Sequence, residues 1–115
     1  METAYYKYQE CIEACLRCAA VCNACANACT LEADVQKMAA CIRLDIECTA
    51  ICYNAAQLMS LGSKWAPELC KICAEICEAC AAECARHEAD HCRDCAAQCR
   101  MCAELCRKMS GTHTA

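Results

Sequence analysis

The chain of 115 residues has no phenylalanine, two glycines, one proline and one tryptophan. So few turn-formers leave little room for hairpins or long irregular loops, and the frequent alanines favour helices. Aromatics make up 4% of the chain, and the formal net charge is −4. With acidic and basic residues interspersed, there is neither a basic patch for phosphates nor a set of rings for base stacking, which argues against a nucleic-acid partner. No run is apolar enough to span a membrane. The N-terminal MetGluThrAlaTyrTyrLys has no charged segment leading into an apolar stretch. The expectation is a cytoplasmic protein, in a compartment where thiols stay reduced.

What is present instead is cysteine, nineteen residues of it. The first run falls at Cys11, Cys15, Cys18, Cys22, Cys25 and Cys29, with steps of 4, 3, 4, 3 and 4. Further runs fall at Cys70, Cys73, Cys77, Cys80 and Cys84, and at Cys92, Cys95, Cys99, Cys102 and Cys106, each stepping 3, 4, 3 and 4. Cys41, Cys48 and Cys52 share a stretch whose seam reads Met38, Cys41, Asp45, Cys48, Cys52, Ala55, Met59. Alternating steps of three and four place every member on one face of a helix, the face that normally carries Leu, Ile or Val. A reduced thiol packs like a small hydrophobe, so the metal-free chain is expected to fold.

Breaks in the pattern give four helices of one domain spanning 1–115. They cover about 3–29, 31–60, 67–86 and 90–109, with a tail at 110–115. Thr3, Thr30 and Asp90 are candidate N-caps, Gly62 suits a helix C-terminus, and Pro67 suits a first turn. His87 and His91 continue the stepping across the last break, but one helix from 67 to 109 would exceed 60 Å, at about 1.5 Å per residue. Short links then imply an all-α, antiparallel, up-down-up-down bundle with a cysteine-lined core. That topology gathers Cys29, Met38, Cys84, His87, His91 and Cys92 at one end, and Cys11, Met59, Cys70, Cys106 and Met109 at the other.

Disulfides fit this pattern poorly. Residues four apart on a helix have Cβ atoms about 5–6 Å apart, whereas a disulfide needs roughly 3.5–4.5 Å. Eight CysXxxXxxXxxCys pairs can be drawn: 11/15, 18/22, 25/29, 48/52, 73/77, 80/84, 95/99 and 102/106. Each offers two sulfurs to one soft ion that accepts two- or three-fold coordination, and Cu(I) is such an ion. Bridging thiolates would bring the ratio near one Cu(I) per cysteine, on the order of twenty ions, with a core near neutrality. Each ion displaces a proton, so loading depends on pH.

Zinc–thiolate storage or sensing is the first alternative, although structural zinc takes four ligands, usually from loops. Iron–sulfur chemistry is the second. Cys11, Cys15 and Cys18 match a three-cysteine cluster spacing, but that match follows from heptad stepping, and the chain is too short for the accompanying barrel.

The recurrence of CysXxxXxxXxxCys on all four helices, over about residues 8–109, resembles the copper storage proteins. The resemblance implies a four-helix bundle that binds many Cu(I) ions and is not an enzyme, copper homeostasis as the role, and a homotetramer. It also implies admission of Cu(I) at one open end bearing His or Met residues. The lack of an export signal fits the cytosolic branch. The nineteen cysteines are the matching ligands, with His87 and His91 at the expected kind of position.

Asp45 departs from the all-thiol seam. It is either a polar residue tolerated in the core, or an oxygen ligand or acceptor that helps deprotonate neighbouring thiols. Met38, Met59 and Met109 are core filler or soft gate ligands. His113 lies in the tail and Met101 on the exterior. Leu16, Val21, Ile46 and Ile51 point away from the seam and favour an oligomer.

Overall fold

A computed structural model describes residues 3–111, and the regular structure among them is helical. A single turn, α1 (Ala4–Lys7), precedes α2 (Gln9–Thr30). A 3-10 turn (Val35–Met38) leads into α3 (Ala39–Ser60), and α4 (Ala66–Cys84) and α5 (Asp90–Ser110) follow. The long helices pack as a ring: α2 on α3, α3 on α4, α4 on α5, and α5 back on α2. Short links make successive helices antiparallel, which gives the expected up-down-up-down bundle, 52 Å along its longest axis.

Capping chemistry sets several boundaries. Thr3 Oγ1 accepts from the Tyr6 amide at 3.5 Å and starts α1. At the end of α3, Gly62 adopts φ +64°, its amide bonds to the Met59 carbonyl, and the Ser63 amide bonds to the Leu58 carbonyl. Those paired bonds need a left-handed residue, which only glycine supplies cheaply. Gly111 ends α5 with φ +76°. Pro67 is the second residue of α4, where a missing amide hydrogen costs nothing.

Three expectations need correction. The first helix is not continuous from residue 3: Tyr8, at φ −109° and ψ 14°, interrupts it, leaving α1 as one turn against α3 and α2. The second helix does not begin at 31, and Thr30 does not cap it. Thr30 Oγ1 donates back to the Asn27 carbonyl at 2.6 Å and closes α2, while Asp34 caps the 3-10 turn by accepting from the Lys37 amide. Asp90 is not a cap but the first residue of α5, preceded by Ala89 in an extended conformation. Its carboxylate there still favours the positive end of the helix dipole. The break between α4 and α5 is present, spanning residues 85–89.

The core follows the seam. All nineteen cysteines are buried, together with Met38, Asp45, Ala55 and Met59. Alanines follow many seam cysteines, as at Ala19, Ala74, Ala81, Ala96 and Ala103, and they too are buried. A methyl group beside each thiol lets backbones approach closely, so sulfurs from opposite helices meet. Thr49 is the other buried polar side chain besides Asp45 among the described residues, and its hydroxyl donates to the Ala19 carbonyl at 3.3 Å.

Candidate metal centre

Each long helix presents its thiols inward every three or four residues, so the core is a column of sulfur. All nineteen cysteines are free. Neighbouring sulfurs lie between 3.4 Å, for Cys41 and Cys84, and 4.0 Å, for Cys18 and Cys22. Those separations far exceed the ~2.05 Å of a disulfide and leave room for a shared ion.

The sequence pairs survive only in part. Six of the eight are in sulfur contact: 18/22, 25/29, 48/52, 73/77, 80/84 and 95/99, at 3.8–4.0 Å. The end pairs 11/15 and 102/106 reach across the bundle instead. Cys11 and Cys15 both meet Cys106, at 3.7 and 3.6 Å, and Cys102 meets Cys15 at 3.7 Å and Cys52 at 3.9 Å.

Sulfurs gather in fours within 4.8 Å of one another. Examples are Cys15, Cys52, Cys73 and Cys102, and Cys18, Cys48, Cys52 and Cys77. Both draw on at least three helices, and they share Cys52. The natural unit is therefore an overlapping cluster between helices, not the pair along one helix. Overlap suits ions that bridge thiolates, because one sulfur then serves two groups.

At one end the column changes character. Cys25, Cys29, Cys41 and Cys92 form a four-sulfur group. His91 Nδ1 lies 3.5 Å from Cys92, 3.6 Å from Cys25 and 3.9 Å from Cys29. Its Nε2 lies 2.9 Å from Glu32 Oε1. A carboxylate there fixes the proton on Nε2 and turns the Nδ1 lone pair toward the sulfurs, as second-sphere carboxylates do for metal-binding histidines. Burial pushes the Cys92 thiol up to about 11, and Cys29 moves up for the same reason. Without a positive ion these thiols stay protonated.

His87 behaves differently. Its Nε2 pairs with Glu83 Oε2 at 2.8 Å, and among the described residues no hydrogen bond joins it to a sulfur. With Glu32, Lys37 and Met38 it lines a cleft of about 420 Å³. Met59, expected at the opposite end, is fully buried, and Met109 is half-buried. His113 lies outside the described residues. Sequence reasoning missed Glu32 and Glu83, because no spacing rule links residue 32 to residue 91.

Asp45 sits inside the column at 0% exposure. Its Oδ1 accepts from Cys80 and Cys95, both at 3.2 Å, and from Cys84 at 3.8 Å, while Oδ2 accepts from Cys41 at 3.9 Å. Burial, then the charge of Cys95, pushes its carboxyl up to about 10. Both carboxyl oxygens have thiol partners.

The chain and its fold are matched among known proteins. The copper storage protein family covers residues 4–111. The chain belongs to that family. As a family member it superposes on the Cu(I)-bound copper storage protein BsCsp3 with a TM-score of 0.85 and 47% identity, covering 90% of this chain and 98% of that one. It also superposes on a cytosolic copper storage protein from Streptomyces lividans carrying five coppers, with a TM-score of 0.88 and 37% identity, covering 96% of this chain and 98% of that one. The cysteine-rich protein YhjQ of Bacillus subtilis is 47% identical over 69 residues, 59% of this chain and 64% of YhjQ. The matched stretch thus spans slightly less than two thirds of YhjQ.

Proposed function

We propose that this protein stores Cu(I) in its thiol column, with the nineteen cysteines as ligands and a capacity on the order of one ion per cysteine. The observation that supports this most is the set of overlapping four-sulfur groups running through a fully buried, disulfide-free core. Soft thiolates held without water select Cu(I) over harder ions. Each ion displaces a thiol proton, so the loaded column approaches neutrality and burial ceases to oppose the charge.

Cu(I) enters at the His91 end. There, Glu32 holds an imidazole lone pair toward Cys25, Cys29 and Cys92, and Met38 and His87 line the approach. The ion then moves inward by exchange between thiolates. The role is sequestration and not catalysis, in keeping with the family. A cytoplasmic location is supported by the Streptomyces lividans relative described as cytosolic. Among the described residues, no helix is long and apolar enough to cross a membrane. Self-association, as a tetramer by resemblance to the family, is consistent with a groove of about 550 Å³ on the outer side of α3, lined by Val35, Ala39, Ile42 and Ile46 together with Arg43 and Glu47.

The test is anaerobic titration of the reduced protein with Cu(I) against a chromophoric chelator. The chelator is expected to stay uncoloured until well over about ten equivalents are bound. Colour after one to about four equivalents would sink the storage reading in favour of a zinc site or a carrier of single ions.

A further inference from the structure

The cleft beside His87 has a make-up that the thiol column does not explain. Residues of two helix links line it: Lys37 and Met38 from the turn ahead of α3, and Arg86, His87 and Glu88 from the link ahead of α5. Its volume, about 420 Å³, is in the range that holds a small molecule. Two of its residues also belong to the end of the column. Glu32 lines the cleft and meets His91 Nε2 at 2.9 Å, while His91 Nδ1 lies 3.5 Å from the Cys92 sulfur. Met38 lines the cleft and is packed into the buried core. A ligand in the cleft therefore shares two side chains with the first sulfurs of the column.

The charges left over in the cleft describe that ligand. Among the described residues, Lys37 and Glu88 take part in no ion pair, and both are exposed. Arg86 reaches Glu83 at 3.3 Å with 78% of its side chain exposed, so its guanidinium has donors to spare. Glu32 and Asp34 are already engaged, by His91 and by the Lys37 amide. Two cations and one anion around a cleft suit a molecule with two carboxylates and an ammonium group. The thioether of Met38 beside them suits a soft metal carried on that molecule. A thiol peptide of the glutathione class has all of these: two carboxylates, one ammonium group, and a sulfur that holds Cu(I).

We propose that this cleft is a docking site for a small, zwitterionic thiol peptide that delivers Cu(I) to the column. The inference rests on the copper reading above and names the carrier. Lys37 and Arg86 hold the carrier's carboxylates, and Glu88 holds its ammonium group. Its sulfur then lies toward Met38 and the histidine behind Glu32. Transfer is ligand exchange. A Cu–S bond to Cys92 forms as the Cu–S bond to the carrier breaks, the Cys92 proton ends on the carrier's sulfur, and the metal keeps its oxidation state.

The experiment has two arms. The first adds S-methylglutathione, which has the carrier's charges but no thiol, to the reduced, metal-free, full-length protein. Amide resonances of residues 32–38 and 86–89 are expected to shift, with a Kd on the order of 1 mM. Lys37→Glu is expected to weaken that binding about fivefold. The second arm mixes the protein by stopped flow with Cu(I) held by excess glutathione or by excess 2-mercaptoethanol, a thiol without charges. The rate from glutathione should saturate with the concentration of the complex, and Lys37→Glu should lower the ratio of the two rates about fivefold. No shift up to about 20 mM S-methylglutathione, shifts confined to residues outside the cleft, or a rate ratio unmoved in Lys37→Glu would each overturn the proposal. Total bound Cu(I) in the same mixtures separates the two ideas. Low capacity sinks storage itself, whereas high capacity without binding of S-methylglutathione sinks only the carrier site.

Discussion

The two ends of the bundle are made from the same thiol-bearing helices, yet they differ in what stands beside the sulfurs. At the proposed mouth, His91 reaches three cysteines, Glu32 holds the ring from behind, and Glu32 also lines a cleft with Met38 and His87. At the far end, Cys106 meets Cys11 and Cys15, Met59 is fully buried beside the column, and Ala4 of α1 lies against Gly62 in the α3–α4 link. The fit there is close, for a Cβ on Gly62 would stand 3.1 Å from the Cβ of Ala4. The same repeating stripe thus meets a histidine at one end and close helix packing at the other. The residues that decide which is which lie outside the repeat.

The largest effect should come from breaking the sealed end. Met59→Ala leaves a cavity in a fully buried site and is expected to cost the metal-free protein about 2–5 kcal/mol. Its rate of Cu(I) uptake should stay close to that of the parent, because the mouth is untouched. Urea unfolding and stopped-flow loading check the two halves of this statement. A loss of uptake rate without loss of stability would mean that copper also passes the far end.

The next effect concerns Asp45, between the ends. Its carboxyl ionises near 3.8 in the unfolded chain and near 10 in the fold, so the folded state keeps a proton that the unfolded state releases. That contribution to stability is fully present below about pH 3.8 and is lost as pH rises toward 10. Asp45→Asn has no such group. It should match the metal-free parent near pH 4 and exceed it by ~2 kcal/mol or more near pH 7.5. Denaturation of the reduced, metal-free proteins at both pH values decides it, and an equal gap at both would contradict the buried carboxyl's role.

The smallest effects sharpen the mouth itself. His91→Ala should slow Cu(I) uptake by roughly tenfold, whereas His87→Ala, whose ring pairs with Glu83, should slow it by less than about twofold. Equal slowing in the two variants would place the approach path over His87 and not over His91.

The fold was largely legible, because steps of three and four fix a helix face whatever residue occupies them. Met38, Cys41, Asp45 and Met59 fell on the seam as that rule requires, and all are buried. Starts and stops were less legible where two local signals competed. Thr30 looks like a cap, but its hydroxyl closes the helix behind it, and Asp34 takes the capping role four residues later. Ligand grouping was the least legible. Cys102 and Cys106 read as a pair along one helix, yet their sulfurs turn to Cys15 and Cys52, and to Cys11 and Cys15.

By itself, the sequence determined that the helices exist, which face each buries, and that this face is sulfur. Those are consequences of backbone periodicity and need no partner. Only the tertiary structure decided which sulfurs share a group, which histidine meets them, and which thiols surround the one buried carboxylate. Each of these depends on the rotation and stagger of one helix against another. That register is set by alanine-sized contacts, caps and link lengths far from the cysteines they align.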